Sequence, residues 1–530
     1  MRDAPVILSL LHQESVPASA TRLFRGKPIL EWTLRRLAQC PGVSRTTLLC
    51  WSDQIAALRR FGYLFALDRT EIASMNAIAA ARRWSDGWRG GLLSASCFDA
   101  GFHGPSLLAA MRQLETDRIV LVDPDSALID PKIVDSLLAH ASEHLDVEYC
   151  FTPAAPGQAA MLLRRGLVEK LAEAGMYPGR LLNYHPDIPG RDPVALPQCA
   201  PAPTVIARAT ERFVLDSQRQ ITLFENATHE LNGQLAKTSA EELLKLARAR
   251  TTSFDYPRDV TLEINSRRAT RPIYSPLRYG VIERPDMTVE MAARIFAQLA
   301  QADDVRLTLA GVGDPLLHPR VFEMIQTASS GGIKAIHVET DLLGVGDEQM
   351  KQLAASPVDV LSVQIPAVTQ TMYRRMMDCD ELARLIDNMR VFLGYRSERA
   401  TPILVPTFVK CRENLGEMEA WYDHWIRNLG CAVIAGPSDC SGQIPDVAAV
   451  DMSPPLRVPC RRLASRMMIL SSGQVVACEN DVHGRYALGQ IGVETVSEIW
   501  RKGFSSLRAE HAAGRYSLPI CQSCRDWHRP

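Results

Sequence analysis

Residues 305–365 read VRLTLAGVGDPLLHPRVFEMIQTASSGGIKAIHVETDLLGVGDEQMKQLAASPVDVLSVQI. Three apolar runs in this stretch, VRLTLAG, AIHVET and VLSVQI, are typical of β-strands, and helix-like segments separate them. The same alternation begins upstream at VTLEI and continues through ILVPTFV and AVIAG. Six β/α units result. They predict a central partial (β/α)6 barrel with its site at the carboxyl ends of the strands, and a flat doubly wound sheet is the alternative.

The first part of the chain also alternates strands with helices. Strand-like runs occur at VILSLL, TTLLCW and RIVLVD, and helix-like runs cover residues 28–40 and 131–145. This pattern predicts an open α/β sheet domain. Asp123 and Asp125 end or follow the run RIVLVD, and the carboxyl edge of such a sheet is where ligands usually bind.

Composition shifts along the chain divide it into four parts. We expect an α/β domain over residues 1–215, a helical connector over 216–255, the barrel over 256–450 and a small C-terminal domain over 451–530. In the last part, the runs MMIL and VVAC flank Ser472-Gly473 and predict a hairpin.

Length and charge narrow the classes of function. The chain has 530 residues and a net charge of −1, so it offers no general positive field for nucleic acid. No apolar run approaches the ~20 residues that span a bilayer, and the N-terminal segment reads as a strand and not as a secretory signal. We therefore expect a cytoplasmic protein without a membrane span.

Four of the thirteen cysteines lie close to the C-terminus: Cys460, Cys478, Cys521 and Cys524. The others are scattered through the chain, most of them in apolar segments, which does not indicate a disulfide framework. Four thiolates can hold a tetrahedral zinc ion or the corners of an iron–sulfur cluster. Structural zinc sites usually contain two short CxxC segments, and this tail contains only one, CQSC. The spacing therefore favours an iron–sulfur cluster, and a zinc site is the alternative.

The tail resembles a SPASM domain, the auxiliary iron–sulfur module of many radical S-adenosylmethionine (radical SAM) enzymes. The matching parts are Cys460 and Cys478 around Gly473, the segments VVACEND and ALGQIGVETVSEIW, the LRAEH helix and the closing CQSCRDW. The family pattern has seven cysteines for two clusters. With four, the resemblance implies one [4Fe-4S] cluster ligated by Cys460, Cys478, Cys521 and Cys524.

The central units are similar to a radical SAM core. In that family the second strand ends in a loop that binds S-adenosylmethionine, and here the loop reads LAGVGDPLLHP. The resemblance implies that Gly311, Gly313 and Asp314 lie on this cofactor loop.

The segment that should carry the family's CxxxCxxC motif reads VTLEINSRRATRPIYSP. Arg268, Pro272 and Ser275 stand at the positions of its three cluster cysteines, and none of them can supply a thiolate. We expect a barrel that keeps the fold and has lost the cluster that cleaves S-adenosylmethionine. The alternative is radical chemistry through unconventional ligands such as Cys379, Cys411 and Cys440.

The N-terminal domain resembles sugar nucleotidyltransferases of the glycosyltransferase-A type. The matching segments are TRLFRGKPILEWTLRRL and LVDPDSALIDPKIVDSLL, while HQESVPASA replaces the expected glycine-rich phosphate loop. The resemblance implies that Lys27 faces phosphates and that Asp125, with Asp123, holds magnesium.

Three functions follow from these patterns. The first is an iron–sulfur protein of the radical SAM/SPASM superfamily that serves binding or electron transfer, with an electron-transfer partner. The second is a magnesium-dependent sugar nucleotidyltransferase or nucleotide-sugar-binding protein with accessory domains. The third is a radical SAM modification enzyme. The fused modules are compatible with a macromolecular or sugar substrate.

Overall fold

The computed structural model describes residues 3–231, 233–250, 252–397 and 399–529. The chain forms two compact units, residues 1–252 and 253–530. Both are α/β units with parallel strands in their main sheets. No helix in the described part of the chain is long and apolar enough to cross a bilayer.

In the first unit, the described residues form eight strands and ten helices. The strands are β1 (Ala4–Ser9), β2 (Leu23–Phe24), β3 (Lys27–Pro28), β4 (Val43–Trp51), β5 (Tyr63–Leu67), β6 (Arg118–Val122), β7 (Tyr149–Phe151) and β8 (Met161–Arg164). The helices are α1 (Ala18–Thr21), α2 (Ile29–Leu37), α3 (Ile55–Leu58), α4 (Ala73–Arg83), α5 (Gly104–Gln113), α6 (Pro131–Glu143), α7 (Arg165–Glu173), α8 (Thr204–Ala207), α9 (Gln218–Thr228) and α10 (Ala240–Ala249).

The main sheet of this unit has the order β5-β4-β1-β6-β8-β7. β1 is parallel to β4 on one side and to β6 on the other, so the strand order reverses between β1 and β6. Asp130 caps α6 by accepting a hydrogen bond from the backbone N–H of Lys132 at 2.9 Å, as its position before Pro131 predicts. The helices α9 and α10 pack Phe224 and Leu243 into the core of this unit.

The second unit contains, among its described residues, nine strands and ten helices. The strands are β9 (Asp259–Leu262), β10 (Arg306–Leu309), β11 (Ala335–Thr340), β12 (Val360–Gln364), β13 (Ile403–Val409), β14 (Val433–Ala435), β15 (Arg466–Ile469), β16 (Gln474–Val476) and β17 (Ala487–Gln490). The helices are α11 (Val289–Leu299), α12 (Val321–Ser330), α13 (Asp347–Ala355), α14 (Gln370–Met377), α15 (Leu382–Arg396), α16 (Met418–Leu429), α17 (Arg462–Ser465), α18 (Val496–Ile499), α19 (Ser505–Ala512) and α20 (Pro519–Gln522).

The six β/α units predicted from the sequence are confirmed. Strands β9 to β14 are neighbours in chain order and all pair in parallel. β15 pairs in parallel with the free edge of β9, and β16 and β17 add antiparallel strands beyond it. The hairpin of the cysteine-bearing tail therefore continues the barrel sheet.

One face of this sheet is apolar and the other carries polar side chains. Leu307, Val338 and Leu361 are buried in the core. Alternate residues on the opposite face include His337, whose ring nitrogens lie 3.4 Å from Thr308 Oγ1 and 2.7 Å from Ser362 Oγ. The period of two along each strand separates the two sets.

Candidate metal centre and neighbouring polar sites

Four cysteines from three segments of the tail line one small cavity. Cys460 precedes α17, Cys478 follows β16, Cys521 lies in α20 and Cys524 comes three residues later. Apolar side chains, including Leu463, Ile520 and Trp527, complete much of the wall. The fold thus brings together the four residues that the sequence singled out as ligands.

A tight turn positions Cys478 at this cavity. Gly473 has φ +83°, a left-handed conformation that favours glycine, and its neighbours leave little room for a Cβ atom. The turn sets β15 against β16 with Met468 opposite Val476. Cys478 lies two residues after the end of β16, and it lines the same cavity as Cys460.

Cys524 already accepts hydrogen bonds from neighbouring N–H groups. The backbone N–H of Asp526 lies 3.2 Å from its Sγ atom, and the Asn480 amide nitrogen lies 3.8 Å from it. Such bonds are typical of the outer shell that orients and stabilises a metal-bound thiolate.

Burial controls the protonation of the thiols when no metal binds them. It raises the pKa of Cys521 to about 12, and the charges of Cys460 and Cys524 add to this effect. Burial also raises the pKa of Cys478 and of Cys524. A metal must therefore displace protons from these thiols when it binds.

Three nitrogen atoms beside the cysteines are buried without a hydrogen-bond partner in the part of the chain that the structure describes. They are the Nε atoms of Arg457 and Arg462 and the Nε2 atom of His511, and all three residues line the cysteine cavity. A buried donor without an acceptor costs about 1–3 kcal/mol. The cavity wall is thus short of acceptors, which the sulfur atoms of an anionic cluster would supply.

The donor set fits an iron–sulfur cluster. Four thiols line one cavity, and three residues of its wall have buried N–H groups without acceptors among the described residues. Among the described residues, no three His, Cys, Asp or Glu side chains form a group suited to a single metal ion.

In the loop after β9, unlike the cysteine cavity, the buried polar side chains bond to other residues of the chain. The Arg268 guanidinium donates two hydrogen bonds to the fully buried carboxylate of Asp341, at 2.8 and 2.5 Å, and Thr270 donates a third at 2.5 Å. Ser275 caps a short 3-10 helix by accepting from the N–H of Leu277 at 3.4 Å. The side chains of Arg268 and Ser275, two of the three positions of the family cysteines, thus have structural partners.

The loop after β10 is packed tightly against the loop after β9. A Cβ atom on Gly311 would lie 2.7 Å from the Glu263 side chain, and one on Gly313 would lie 2.3 Å from the Asn265 carbonyl oxygen. Asp314 accepts from the Thr340 hydroxyl at 2.8 Å and from the Asp341 N–H at 2.9 Å. Burial, followed by the charge of Asp341, raises the pKa of Asp314 to about 6.

In the first unit, a small cavity lies at the carboxyl ends of β1 and β6. Ser9, Gly101 and Asp123 line it. The N–H of Asp125 donates to Asp123 at 2.8 Å, so the two aspartates are neighbours in space. Burial, followed by the charges of Asp123 and Asp216, raises the pKa of Asp125 well above its usual range.

Lys27 lies in β3, outside the residues that line this cavity. Its amino group pairs with Glu31 at 3.2 Å, one helical turn away. The roles of Lys27, Asp123 and Asp125 toward a nucleotide stay predictions.

Sequence reasoning missed the N–H groups around the cysteines and the partner of Arg268. Arg462 lies two residues after Cys460, and a cation beside a ligand cysteine was the available signal. His511 lies outside any spacing motif, and only the fold brings it to Cys460, whose N–H donates to His511 Nδ1 at 3.4 Å.

Comparison with known proteins identifies the tail. Residues 460–525 match the model of SPASM, an iron–sulfur cluster-binding domain. An uncharacterized protein of Treponema pallidum (strain Nichols) is 24% identical over 308 residues, which are 55% of this chain and 84% of that protein.

Solved structures that match the chain include three kinds of protein. BtrN in complex with AdoMet and 2-DOIA is 16% identical, with a TM-score of 0.36, over 52% of this chain and 94% of that one. Streptococcus suis SuiB bound to precursor peptide SuiA is 13% identical, with a TM-score of 0.41, over 58% and 83%. anSMEcpe with bound AdoMet is 11% identical, with a TM-score of 0.39, over 52% and 88%.

Proposed function

We propose that this chain is an iron–sulfur protein of the radical SAM/SPASM type, with one [4Fe-4S] cluster ligated by Cys460, Cys478, Cys521 and Cys524. The observation that carries the proposal is the cavity lined by these four thiols and by three residues whose buried N–H groups lack acceptors in the described part of the chain. The match of residues 460–525 to a cluster-binding domain supports it. A bound cluster of this kind accepts or donates one electron.

Metal and sulfide analysis tests this proposal. The protein is purified and reconstituted without air, and its iron, acid-labile sulfide and zinc are measured. We expect about four irons and about four sulfides per chain. Zinc without sulfide would refute the cluster, and it would identify the four cysteines as a structural zinc site.

We further propose that the barrel does not cleave S-adenosylmethionine. The Arg268–Asp341 pair occupies the place of the first family cysteine and is buried with its charges matched. Asp314, expected on the cofactor loop, directs its carboxylate to Thr340 and to the backbone of Asp341. We therefore propose that these polar residues of the barrel stabilise the fold or bind a ligand, and that they take no part in cleavage.

Product analysis tests the loss of cleavage. The cluster-loaded protein is incubated with S-adenosylmethionine and dithionite, and 5′-deoxyadenosine is measured by chromatography. We expect no product above the rate without protein. Its formation would favour the alternative in which unconventional ligands, such as Cys379, Cys411 and Cys440, support radical chemistry.

A second candidate function concerns the first unit, where we propose a magnesium-dependent nucleotide or nucleotide-sugar site. The supporting observation is the cavity at the point where the strand order reverses between β1 and β6. Ligands of open α/β sheets bind at such points. Asp123 and Asp125 supply hard oxygen atoms that suit magnesium.

Calorimetry with nucleoside triphosphates and nucleotide sugars, with and without magnesium, tests this site. We expect Asp125→Asn to weaken magnesium-dependent binding at least about tenfold, as the loss of a charged ligand should. Asp117→Asn is the matched control, because Asp117 is exposed and precedes β6 at its opposite end. Absence of binding across the panel would end this candidate.

A further inference from the structure

Arg457, Arg462 and His511 line the cysteine cavity beside its four thiols, and each has a buried N–H group without an acceptor among the described residues. Arg462 and Arg457 are held by other contacts, so their Nε atoms have fixed places. Arg462 pairs with Glu479 at 3.0 Å. Arg457 donates to the carbonyl of Cys521 and stacks on the Tyr516 ring, with its guanidinium carbon 3.7 Å from the ring centre.

His511 is held in the same way, and its hydrogen bond fixes its tautomer. The Cys460 N–H donates to Nδ1 at 3.4 Å, so Nδ1 carries no proton and Nε2 carries it. The ring meets Tyr516 edge-on at 4.8 Å between centroids. His511 is almost fully buried, and its Nε2–H has no acceptor among the described residues.

Arg457 and Arg462 both line the cavity of the thiols, and a guanidinium group is positively charged at any ordinary pH. Glu479 is itself neutralised in part by a second cation, Arg466, at 3.6 Å. A cluster with four thiolates carries net negative charge, and two guanidinium groups at its surface offset that charge.

We infer that Arg457, Arg462 and His511 form a donor shell that raises the reduction potential of the tail cluster through N–H···S hydrogen bonds and positive charge. This inference rests on the proposed cluster. Hydrogen bonds to the sulfurs and nearby charge are known levers on such potentials, because they stabilise the more negative, reduced state. The donor shell makes the centre an acceptor or store of single electrons that are supplied by a more reducing donor.

Redox titration of the cluster-loaded protein tests the donor shell. Dithionite supplies the electron, mediators equilibrate the centre, and EPR reports the reduced fraction. Arg462→Gln removes one N–H group and one charge, and His511→Phe removes the Nε2–H. We expect each variant to lower the reduced-to-oxidised ratio at fixed potential about tenfold, which for one electron is a fall of ~59 mV in midpoint potential.

Two further variants separate hydrogen bonding from charge and from general disturbance. Arg462→Lys keeps the charge and loses the Nε–H, so we expect a smaller fall than in Arg462→Gln. Arg461→Gln is the matched control, because it removes the same charge from the neighbouring exposed position. If the midpoint potentials of Arg462→Gln and His511→Phe equalled that of Arg461→Gln, the inferred donor shell would be wrong.

If a variant fails to bind the cluster, a measurement on the wild-type protein still tests the inference. The reduced wild-type cluster is prepared with ¹⁵N-histidine, and electron–nuclear double resonance is recorded. We expect a ¹⁵N coupling in wild type that is absent in His511→Gln, because the variant has no labelled imidazole at that position, and we expect a coupling to exchangeable protons in wild type. Absence of both couplings in a loaded wild-type protein would overturn the inference, whereas a wild-type protein without iron or sulfide would refute the proposed function itself.

Discussion

Two polar sites of the second unit differ in how their buried charged groups are satisfied. Arg268, in the loop after β9, donates hydrogen bonds to the carboxylate of Asp341, and the Thr270 hydroxyl donates a further hydrogen bond to the same carboxylate. In the cysteine cavity, the Nε2–H of His511 and the Nε–H of Arg462 lack acceptors among the described residues. The family that the sequence resembles has cluster cysteines at both positions, whereas this chain has cysteines only in the tail.

This difference distinguishes a site whose buried charged groups pair with each other from a site that retains donors for a bound group. A buried pair that supplies its own partners leaves no donor to recognise a ligand. A ring of donors without acceptors is costly unless an additional group binds there. The same contrast separates two histidines of this unit, because both ring nitrogens of His337 have partners, whereas Nε2 of His511 has none among the residues that the structure describes.

The largest expected effect comes from removing a ligand of the cysteine cavity. We expect Cys478→Ala to lower iron and sulfide per chain more than about tenfold, because replacing even an outer-shell group costs metal sites 10–100-fold in affinity. Anaerobic reconstitution and metal analysis measure the effect. Cys431→Ala is the matched control, because Cys431 is buried and does not line the cavity. Equal iron in the two variants would contradict the proposed ligand set.

The second effect concerns the self-paired loop. Asp341→Leu leaves the Arg268 guanidinium buried without its counter-ion, and breaking a buried pair in this way costs about 3–5 kcal/mol. We expect the free energy of local opening of β9 to β11 to fall by that amount. Hydrogen exchange of peptides from these strands measures it in the intact chain.

A double variant sharpens the comparison at this loop. In Arg268→Met with Asp341→Leu, both charges disappear together, and we expect opening free energies within about 1 kcal/mol of wild type. If the double variant were as unstable as Asp341→Leu, the loop would depend on the pair for more than charge balance.

The sequence predicted the units that depend on local patterns. Six strand-like runs separated by helices gave the parallel order of β9 to β14, and Ser472-Gly473 gave the hairpin between β15 and β16. The four cysteines were predicted as one group by their spacing, and the cavity brings them together. Periodicity and spacing contain enough information for these features because they act over a few residues.

The parts that sequence reasoning missed depend on pairings between distant segments. β15 lies beside β9 although about two hundred residues separate them, and no periodicity specifies that edge. Asp341 meets Arg268 across two β/α units, and His511 reaches Cys460 from α19. Hydrogen-bond partners of this kind become visible only when the fold is known.

The third expected effect is a difference in acid stability. Burial lowers the pKa of His337 to about 4, from about 6.5 in the unfolded chain. The stability from its neutral form is complete above pH 6.5 and is lost as the pH falls toward 4, because the unfolded chain takes up the proton first. Between pH 7 and pH 5 the loss is about 2 kcal/mol.

His337→Gln measures this contribution, because glutamine keeps polar atoms beside Ser362 and does not titrate. Urea unfolding of wild type and variant is followed by circular dichroism at both pH values. We expect the wild-type protein to lose about 2 kcal/mol more than the variant between them. Parallel pH dependence would show that the imidazole is solvated and that the barrel's polar face is open to water.

The smallest effect comes from a surface pair in the same loop that repeats the geometry of the buried one. Arg267 donates to both carboxylate oxygens of Asp286 at 2.8 Å, as Arg268 does to Asp341, but the Arg267 side chain is 54% exposed. We expect Asp286→Ala to lower the opening free energy by less than about 1 kcal/mol, and 1 M salt to remove most of that difference. Hydrogen exchange of the β9 to β11 peptides at two salt concentrations checks both expectations. A cost equal to that of Asp341→Leu would mean that bidentate geometry, and not burial, decides how strongly this loop depends on its ion pairs.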